Sequence, residues 1–261
     1  MGSIGVVIPF YKQRKQLEKC LELIRQQTIN NIKIYVKDNS EINTYFTSAV
    51  NEGIQTFVED REIEYILVLN QDAYLEQNTV EELVNSMIRN QECGISAPIQ
   101  ISENGNIVWS GGLEAFPLGN HQIFTDNSAT NELETFWVNG AAMLLRKQMV
   151  REIGLLDKNM QFICSDADYS FTARSRGWKL LVSKKAFVQH DLSGSKDAEN
   201  NELTMIKIND AIYFTKKWIN GDLYRSLAIE GRHLTNQYVD ECLKIYLNEL
   251  STIKKSTKMK R

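Results

Sequence analysis

Proline is nearly missing from this chain. Three prolines and 14 glycines in 261 residues leave no low-complexity linker, so the whole length reads as folded, either one large domain or one domain plus an extension. Cysteine is scarce and scattered. Cys20, Cys93, Cys164 and Cys242 show neither metal-ligand spacing nor a dense disulfide pattern, which suits a reducing cytosol. No apolar run approaches the roughly 18 residues of a membrane span. The first strand pattern opens at Ile4 without a basic leader, so no secretory signal is expected. An excess of one charge is missing too. With 30 Lys+Arg against 33 Asp+Glu the net charge is −3, which offers no global field to nucleic acid. No internal repeat is present.

What is there begins with alternation. Ile4 to Phe10 is a continuous apolar run, the pattern of a buried parallel strand. Lys12 to Gln27 follows as an amphipathic helix with Leu17, Cys20, Leu21 and Ile24 on one face. Strand Ile32–Val36, helix Thr44–Val58, strand Tyr65–Leu69, helix Thr79–Ile88 and strand Gly94–Ile101 continue the pattern. Such alternation calls for a parallel sheet with helices on both faces. Residues 107 to 130 are turn-rich and short-stranded. Phe136 to Leu145 reads as one long strand interrupted by Gly140, where a bulge or a close backbone approach is expected. Helix Lys147–Ile153, a helix opened by Asp166-Ala167-Asp168 and stopped near Gly177, and short strands Leu180–Val182 and Ala186–Gln189 follow. Ser193 to Glu202 is polar and expected to be mobile. From Leu203 the chain turns helical, and its last eleven residues carry five Lys/Arg and no acid.

Polar residues gather at the strand ends. Pro9-Phe10-Tyr11, Asp38-Asn39-Ser40, Asn70-Gln71-Asp72 and Ser165-Asp166-Ala167-Asp168 each close or follow an apolar segment, and His190 closes another. Ligands of open α/β sheets sit at the carboxyl ends of the strands. A carboxylate directly after a buried strand, as Asp72 is, either holds a hard cation against a phosphate or closes a turn or caps a helix.

These segments also carry a resemblance. Val6-Val7-Ile8-Pro9-Phe10-Tyr11, Tyr35-Val36-Lys37-Asp38-Asn39-Ser40, Asn51-Glu52-Gly53-Ile54, Leu69-Asn70-Gln71-Asp72, Asn139 to Arg146, Ile153-Gly154-Leu155-Leu156-Asp157, Ser165 to Asp168 and Val188-Gln189-His190 fall in one collinear order. They resemble the motifs of inverting family 2 glycosyltransferases. The resemblance spans residues 4 to 195. It departs from the family pattern at Asn70, at Ser165 and at Phe10, which stand where that family has an acid, a glutamate and a threonine.

The resemblance implies a GT-A fold: an α/β architecture with a Rossmann-like, mostly parallel sheet flanked by helices. The catalytic domain would be residues 1–200 and a C-terminal helical extension residues 201–261. It implies sugar transfer from a UDP- or dTDP-linked donor to a hydroxyl of a glycan or lipid-linked acceptor, by single displacement with inversion. Pro9, Phe10, Tyr11, Asp38, Asn51, Asn70, Gln71 and Asp72 would bind the nucleotide. Asp72, with His190, would hold Mn²⁺ or Mg²⁺, the histidine favouring Mn²⁺. Asp166 would be the general base, and Asp168 a helix cap. Asp38 is alternatively an Asx turn, Asp166 an N-cap, and His190 a surface histidine. Trp109 and Trp137 either stack on acceptor sugar or sit in the core. The Lys254–Arg261 run is either a solvated tail or a contact with anionic lipid at the inner face of a membrane. Two other functions stay open: a nucleotidyltransferase making nucleotide sugars, and a non-catalytic nucleotide-sugar-binding domain. The first wants a glycine-rich loop after the first strand, where this chain has Pro9-Phe10-Tyr11-Lys12-Gln13-Arg14.

Overall fold

A computed structural model describes residues 2–113, 120–123, 130–190, 201–218 and 236–258. Strand β1 (Ser3–Phe10) is followed by α1 (Arg14–Arg25), β2 (Ile32–Asp38), α2 (Tyr45–Glu59) and β3 (Ile63–Leu69). Next come β4 (Tyr74–Leu75), α3 (Thr79–Arg89) and β5 (Cys93–Ile101), then the short strands β6 (Ile107–Trp109), β7 (Gly111–Leu113), β8 (Asn120–Gln122) and β9 (Glu132–Glu134). The order closes with β10 (Ala142–Arg146), α4 (Lys147–Ile153), α5 (Ser165–Ser175), β11 (Lys179–Gln189), α6 (Asn201–Trp218) and α7 (Asn236–Lys258).

The main sheet runs β2-β1-β3-β10-β5-β11-β4, with β6 on β5 and β9 on β11. β1 pairs in parallel with β2 and β3, and β5 with β11. β10 is antiparallel to both of its neighbours. The alternating first hundred residues thus build the expected layered α/β unit, while the antiparallel insertion comes from later in the chain.

Side-chain alternation divides the core between the two faces. Ile4, Val6 and Ile8 of β1 pack with Leu17 and Ile24 of α1 and Leu83 and Met87 of α3. Val7 points the other way, onto Val50, Ile54 and Phe57 of α2. This is the period-2 geometry of a strand buried on both faces. Gly53 lets α2 sit close: a Cβ there would lie 2.4 Å from Val7 Cγ1. Arg146 is buried, and its guanidinium donates to Met87 O and Asn90 O, at the end of α3, and to Cys93 O, at the start of β5.

Two sequence expectations need correction. The strand expected over Phe136–Leu145 starts only at Ala142, because the amides before it are spent elsewhere. Gly140 N–H donates to Asp166 and Ala141 N–H to Asn139 Oδ1. The two short strands at 180–182 and 186–189 are one strand, β11, whose register with β5 slips between Ser183 and Phe187. Of the segment expected to be mobile, residues 193–200 lie outside the described residues, and 201–202 open α6.

Candidate active site

At the carboxyl ends of β1 and β3 lies a cavity of about 660 Å³. Pro9, Phe10, Tyr11, Lys12, Asn39, Asn43, Tyr45, Phe46, Asn70 and Phe162 line it, with Glu202 and Leu203 from the start of α6. Two strained residues stand in its wall. Lys12 and Tyr45 have φ of 56° and 58°, and Cys164, just before α5, has φ of 66°. A non-glycine residue in this region costs on the order of 1–3 kcal/mol and persists only where its surroundings over-determine it, typically at ligand sites. Here Lys12 N–H donates to Ser40 Oγ at 3.1 Å and Tyr45 N–H to Asn43 Oδ1 at 2.9 Å.

The residues expected at the nucleotide divide. Pro9, Phe10, Tyr11 and Asn70 border the cavity. Gln71 acts on the backbone of Tyr11: its Oε1 accepts Tyr11 N–H at 2.6 Å and its Nε2 donates to Tyr11 O at 3.3 Å. It holds the wall in place. Asp38 is exposed, and its Oδ1 accepts Ser40 N–H at 2.8 Å in an Asx turn; the Ser40 hydroxyl first and its amide second hold the Asp38 carboxyl below the usual range. Its buried neighbour Asn39 is the one in the wall. Asn51 is buried away from the cavity, with both ends of its amide bonded to the Leu156 backbone at 2.8 and 2.9 Å. It ties α2 to the loop before α5. Asn39 lies within the Tyr35–Ser40 segment, whereas Lys12, Tyr45, Phe46 and Phe162 carry no pattern that would single them out.

Asp72 and His190, far apart in sequence, meet. His190 Nε2 lies 3.7 Å from Asp72 Oδ1, and Asp72 follows cavity-lining Asn70 in the same turn. On the other side of the ring, His190 Nδ1 lies 3.2 Å from Gln100 Oε1. In the tautomer with its proton on Nδ1, that amide oxygen is the acceptor and Nε2 is the nitrogen on the Asp72 side. Ligands of a small divalent cation stand about 2.0–2.1 Å from it, so donors 3.7 Å apart can reach one ion. Among the described residues no group of three or more His, Cys, Asp or Glu side chains is gathered for a metal.

Asp166 stands beside this cavity through a chain of backbone contacts. Asn70 N–H donates to Ala141 O at 2.8 Å, and Gly140 N–H to Asp166 Oδ2 at 2.8 Å. Ala167 N–H donates to Asp166 Oδ1 at 2.8 Å. Glycine at 140 keeps the packing close: a Cβ would crowd Phe46 at 3.0 Å on one side and Asp166 Cβ at 3.2 Å on the other. Burial raises the Asp166 pKa, against the pull of the Gly140 and Ala167 amides and of His121. A carboxylate with a raised pKa is a stronger proton acceptor.

Asp168 is buried and does not cap α5. Its carboxylate accepts Trp218 Nε1–H at 2.7 Å and pairs with Lys217 Nζ at 2.8 Å. Asp210 accepts three backbone N–H groups, from Gln161, Phe162 and Ile163, at 3.0, 2.7 and 3.0 Å. α6 therefore holds both ends of the segment that presents Asp166. Trp109 and Trp137 are buried, their ring centroids 6.3 Å apart.

The model of glycosyl transferase family 21 matches residues 47–199, which is more than half of the chain. The chain belongs to glycosyl transferase family 21. Asp72, His121, Asp166 and His190 all lie inside the matched span. The motifs resemble family 2, and what that resemblance shares with the family 21 match is the coarser class, a glycosyltransferase. No curated protein matches the chain. Among solved structures it is similar to the crystal structure of GalNAc-T7 with UDP, GalNAc and Mn²⁺, with a TM-score of 0.65 at 14% identity. The match covers 96% of this chain and 55% of that one, so this family 21 chain spans about half the length of that protein. It shows the GT-A fold.

Proposed function

We propose that this family 21 chain moves a sugar from a UDP- or dTDP-linked donor to a hydroxyl of a glycan or lipid-linked acceptor, with inversion. The reaction would serve polysaccharide or glycoconjugate synthesis on the cytoplasmic side of a membrane. The observation that carries the reading is the pairing of Asp72 with His190 in the turn after β3, with Asp166 seated on the amide of Gly140, whose neighbour Ala141 accepts Asn70 N–H from that same turn. GalNAc-T7, similar in fold, was crystallised with UDP and Mn²⁺, which supports a nucleotide donor and a divalent cation here.

Asp72 and His190 would hold Mn²⁺ or Mg²⁺. When bound, such an ion neutralises the leaving diphosphate as a Lewis acid. The cavity wall, with Tyr11, Tyr45 and Phe46 around Asn39 and Asn70, would take the nucleoside. Asp166 would take the acceptor proton, its lone pairs aimed by the Gly140 and Ala167 amides. Residues 1–200 would be the catalytic domain, with 201–261 a helical extension whose first helix buttresses Asp166. The basic end of that extension would lie on anionic lipid.

The test is release of UDP or dTDP from a panel of nucleotide sugars, with and without Mn²⁺ and with glycan and lipid-linked acceptors. Metal-dependent release that rises with one acceptor supports the reading. Formation of a nucleotide sugar from sugar phosphate and nucleoside triphosphate, or binding without turnover, defeats it.

A further inference from the structure

A glutamine is out of place inside a buried strand, and β5 has one. Gln100 sits between Ile99 and Ile101 near the end of β5 and is completely buried. A buried amide needs partners at both of its ends. Gln100 has one. Its Oε1 lies 3.2 Å from His190 Nδ1, while its Nε2 has no hydrogen-bond partner among the described residues. An unpaired buried N–H costs free energy that an apolar residue at this position would avoid. The strand bears that cost while making a single side-chain contact, the one on His190.

Three neighbouring strands set up that contact. β11 lies between β5 and β4, parallel to the first and antiparallel to the second. Val188 stands opposite Gln100 on one side and Leu75 on the other, and Gln189 opposite Ile101 and Tyr74. His190 is the next residue, buried like Gln100, and its backbone N–H donates to Ile101 O at 2.9 Å. Its ring therefore spans the two neighbours of β11. Nδ1 faces Gln100 on the β5 side, and Nε2 faces Asp72, in the turn that leads into β4, at 3.7 Å. That distance is beyond hydrogen-bond reach, so Asp72 does not hold the ring by a hydrogen bond.

Resting on the assignment of Asp72 and His190 to a divalent cation, we propose that Gln100 is the positioning residue of that site. Its Oε1 keeps the His190 proton on Nδ1 and turns the unprotonated Nε2 toward the space beside Asp72. Only a ring nitrogen without a proton can ligate a cation. An oxygen acceptor behind a ligating histidine fixes both its tautomer and the angle of its ring. Gln100 does not line the cavity and acts only through His190.

The first test needs neither donor nor acceptor. The chain has three histidines, so the ring nitrogens of His190 can be assigned by their loss in His190→Gln and followed by ¹⁵N NMR in the metal-free protein. Wild type should carry the proton on Nδ1, and Gln100→Leu should show a mixture of both tautomers. A wild-type ring with its proton on Nε2 overturns the proposal, because Gln100 would then turn its NH₂ group to the ring. The second test uses Mn²⁺ alone, with the free ion followed by electron paramagnetic resonance well below the melting temperature of each variant. Gln100→Leu should weaken Mn²⁺ binding on the order of 10–100-fold. Gln100→Glu keeps an acceptor oxygen and should restore most of the affinity. Equal affinity in wild type and Gln100→Leu removes Gln100 from the site and leaves the transferase reading standing. A wild type that binds no Mn²⁺, with or without UDP, takes the metal assignment and this inference down together. Mn²⁺ binding that depends on Gln100, in a chain that releases no UDP, upholds the inference and defeats the transferase reading.

Discussion

Two carboxylates of the same helix turn do different work because their surroundings differ. Asp168 is buried with a lysine and an indole N–H on it, while Asp166 meets backbone amides. For Asp166 the burial raises the pKa, which has a consequence for stability as well as for rate. A carboxyl whose folded pKa lies above its unfolded value favours folding below the unfolded pKa, and that contribution is lost as pH rises through the folded pKa. At neutral pH the desolvated carboxylate is therefore a cost to the fold. Asp166→Asn should keep or raise the melting temperature at neutral pH, and should lower kcat by about 10²–10⁴. Thermal melts across pH 4 to 8, read beside initial rates, check both signs. A variant that melts lower at neutral pH and transfers normally would make Asp166 a structural cap. Asp72→Asn should weaken Mn²⁺-dependent UDP binding while leaving the fold intact, because a two-residue ligand set loses its only carboxylate. Titration calorimetry with UDP, with and without Mn²⁺, decides it, and equal affinities in wild type and variant would remove Asp72 from the site.

At the scale of elements, the decisive feature is that helices hold the site through a few close contacts. α6 grips the 161–163 turn through Asp210, whose carboxylate takes three amide hydrogens that the turn cannot satisfy itself. Asp210→Ala leaves these partly buried amides unpaired, at roughly 1–3 kcal/mol in sum after solvent screening. The melting temperature should fall by several degrees, and kcat should fall with it, since the same turn leads into Asp166. A melt indistinguishable from wild type would show that water replaces the carboxylate freely. α2 offers a contest of two terms. Alanine is worth up to about 1 kcal/mol over glycine inside a helix. Yet at Gly53 the new methyl would strike Val7 and Tyr35, and overpacking of a core costs typically 1–3 kcal/mol. The clash should win, and Gly53→Ala should unfold at lower urea than wild type. A higher midpoint would mean that α2 can slide outward cheaply.

Across the whole molecule, the charge is close to balanced but its distribution is not. The last eleven residues carry all-positive charge on a chain of net −3. No helix of the described residues is long and apolar enough to cross a membrane. Contact with anionic lipid, if the tail makes it, would be electrostatic and screened within about 8–10 Å at physiological salt. The full chain should sediment with vesicles containing phosphatidylserine, release at high salt, and ignore neutral vesicles. A chain shortened after residue 250 should lose the binding. Salt-insensitive sedimentation would point to apolar insertion instead.

What the sequence determined by itself was the layered α/β frame and the polar strand ends. Both are local matters: buried strands need unbroken apolar runs, and amphipathic helices need a 3.6-residue period, so each leaves its own trace. Asp72 and Asp166 stood out because a carboxylate interrupts such a run. The tertiary structure alone decided which polar residues converge. Asn51 and Gln71 sit in recognisable motifs, yet their amides are consumed by the Leu156 and Tyr11 backbones, a pairing no spacing in the chain encodes. β10 entered the sheet antiparallel because the 139–141 turn is held by Asn70 and Asp166, contacts made across the fold. His190 met Asp72 only once strands distant in sequence lay side by side. A hydrogen bond or an ion pair is read over a few ångströms of space, and sequence separation does not measure that distance.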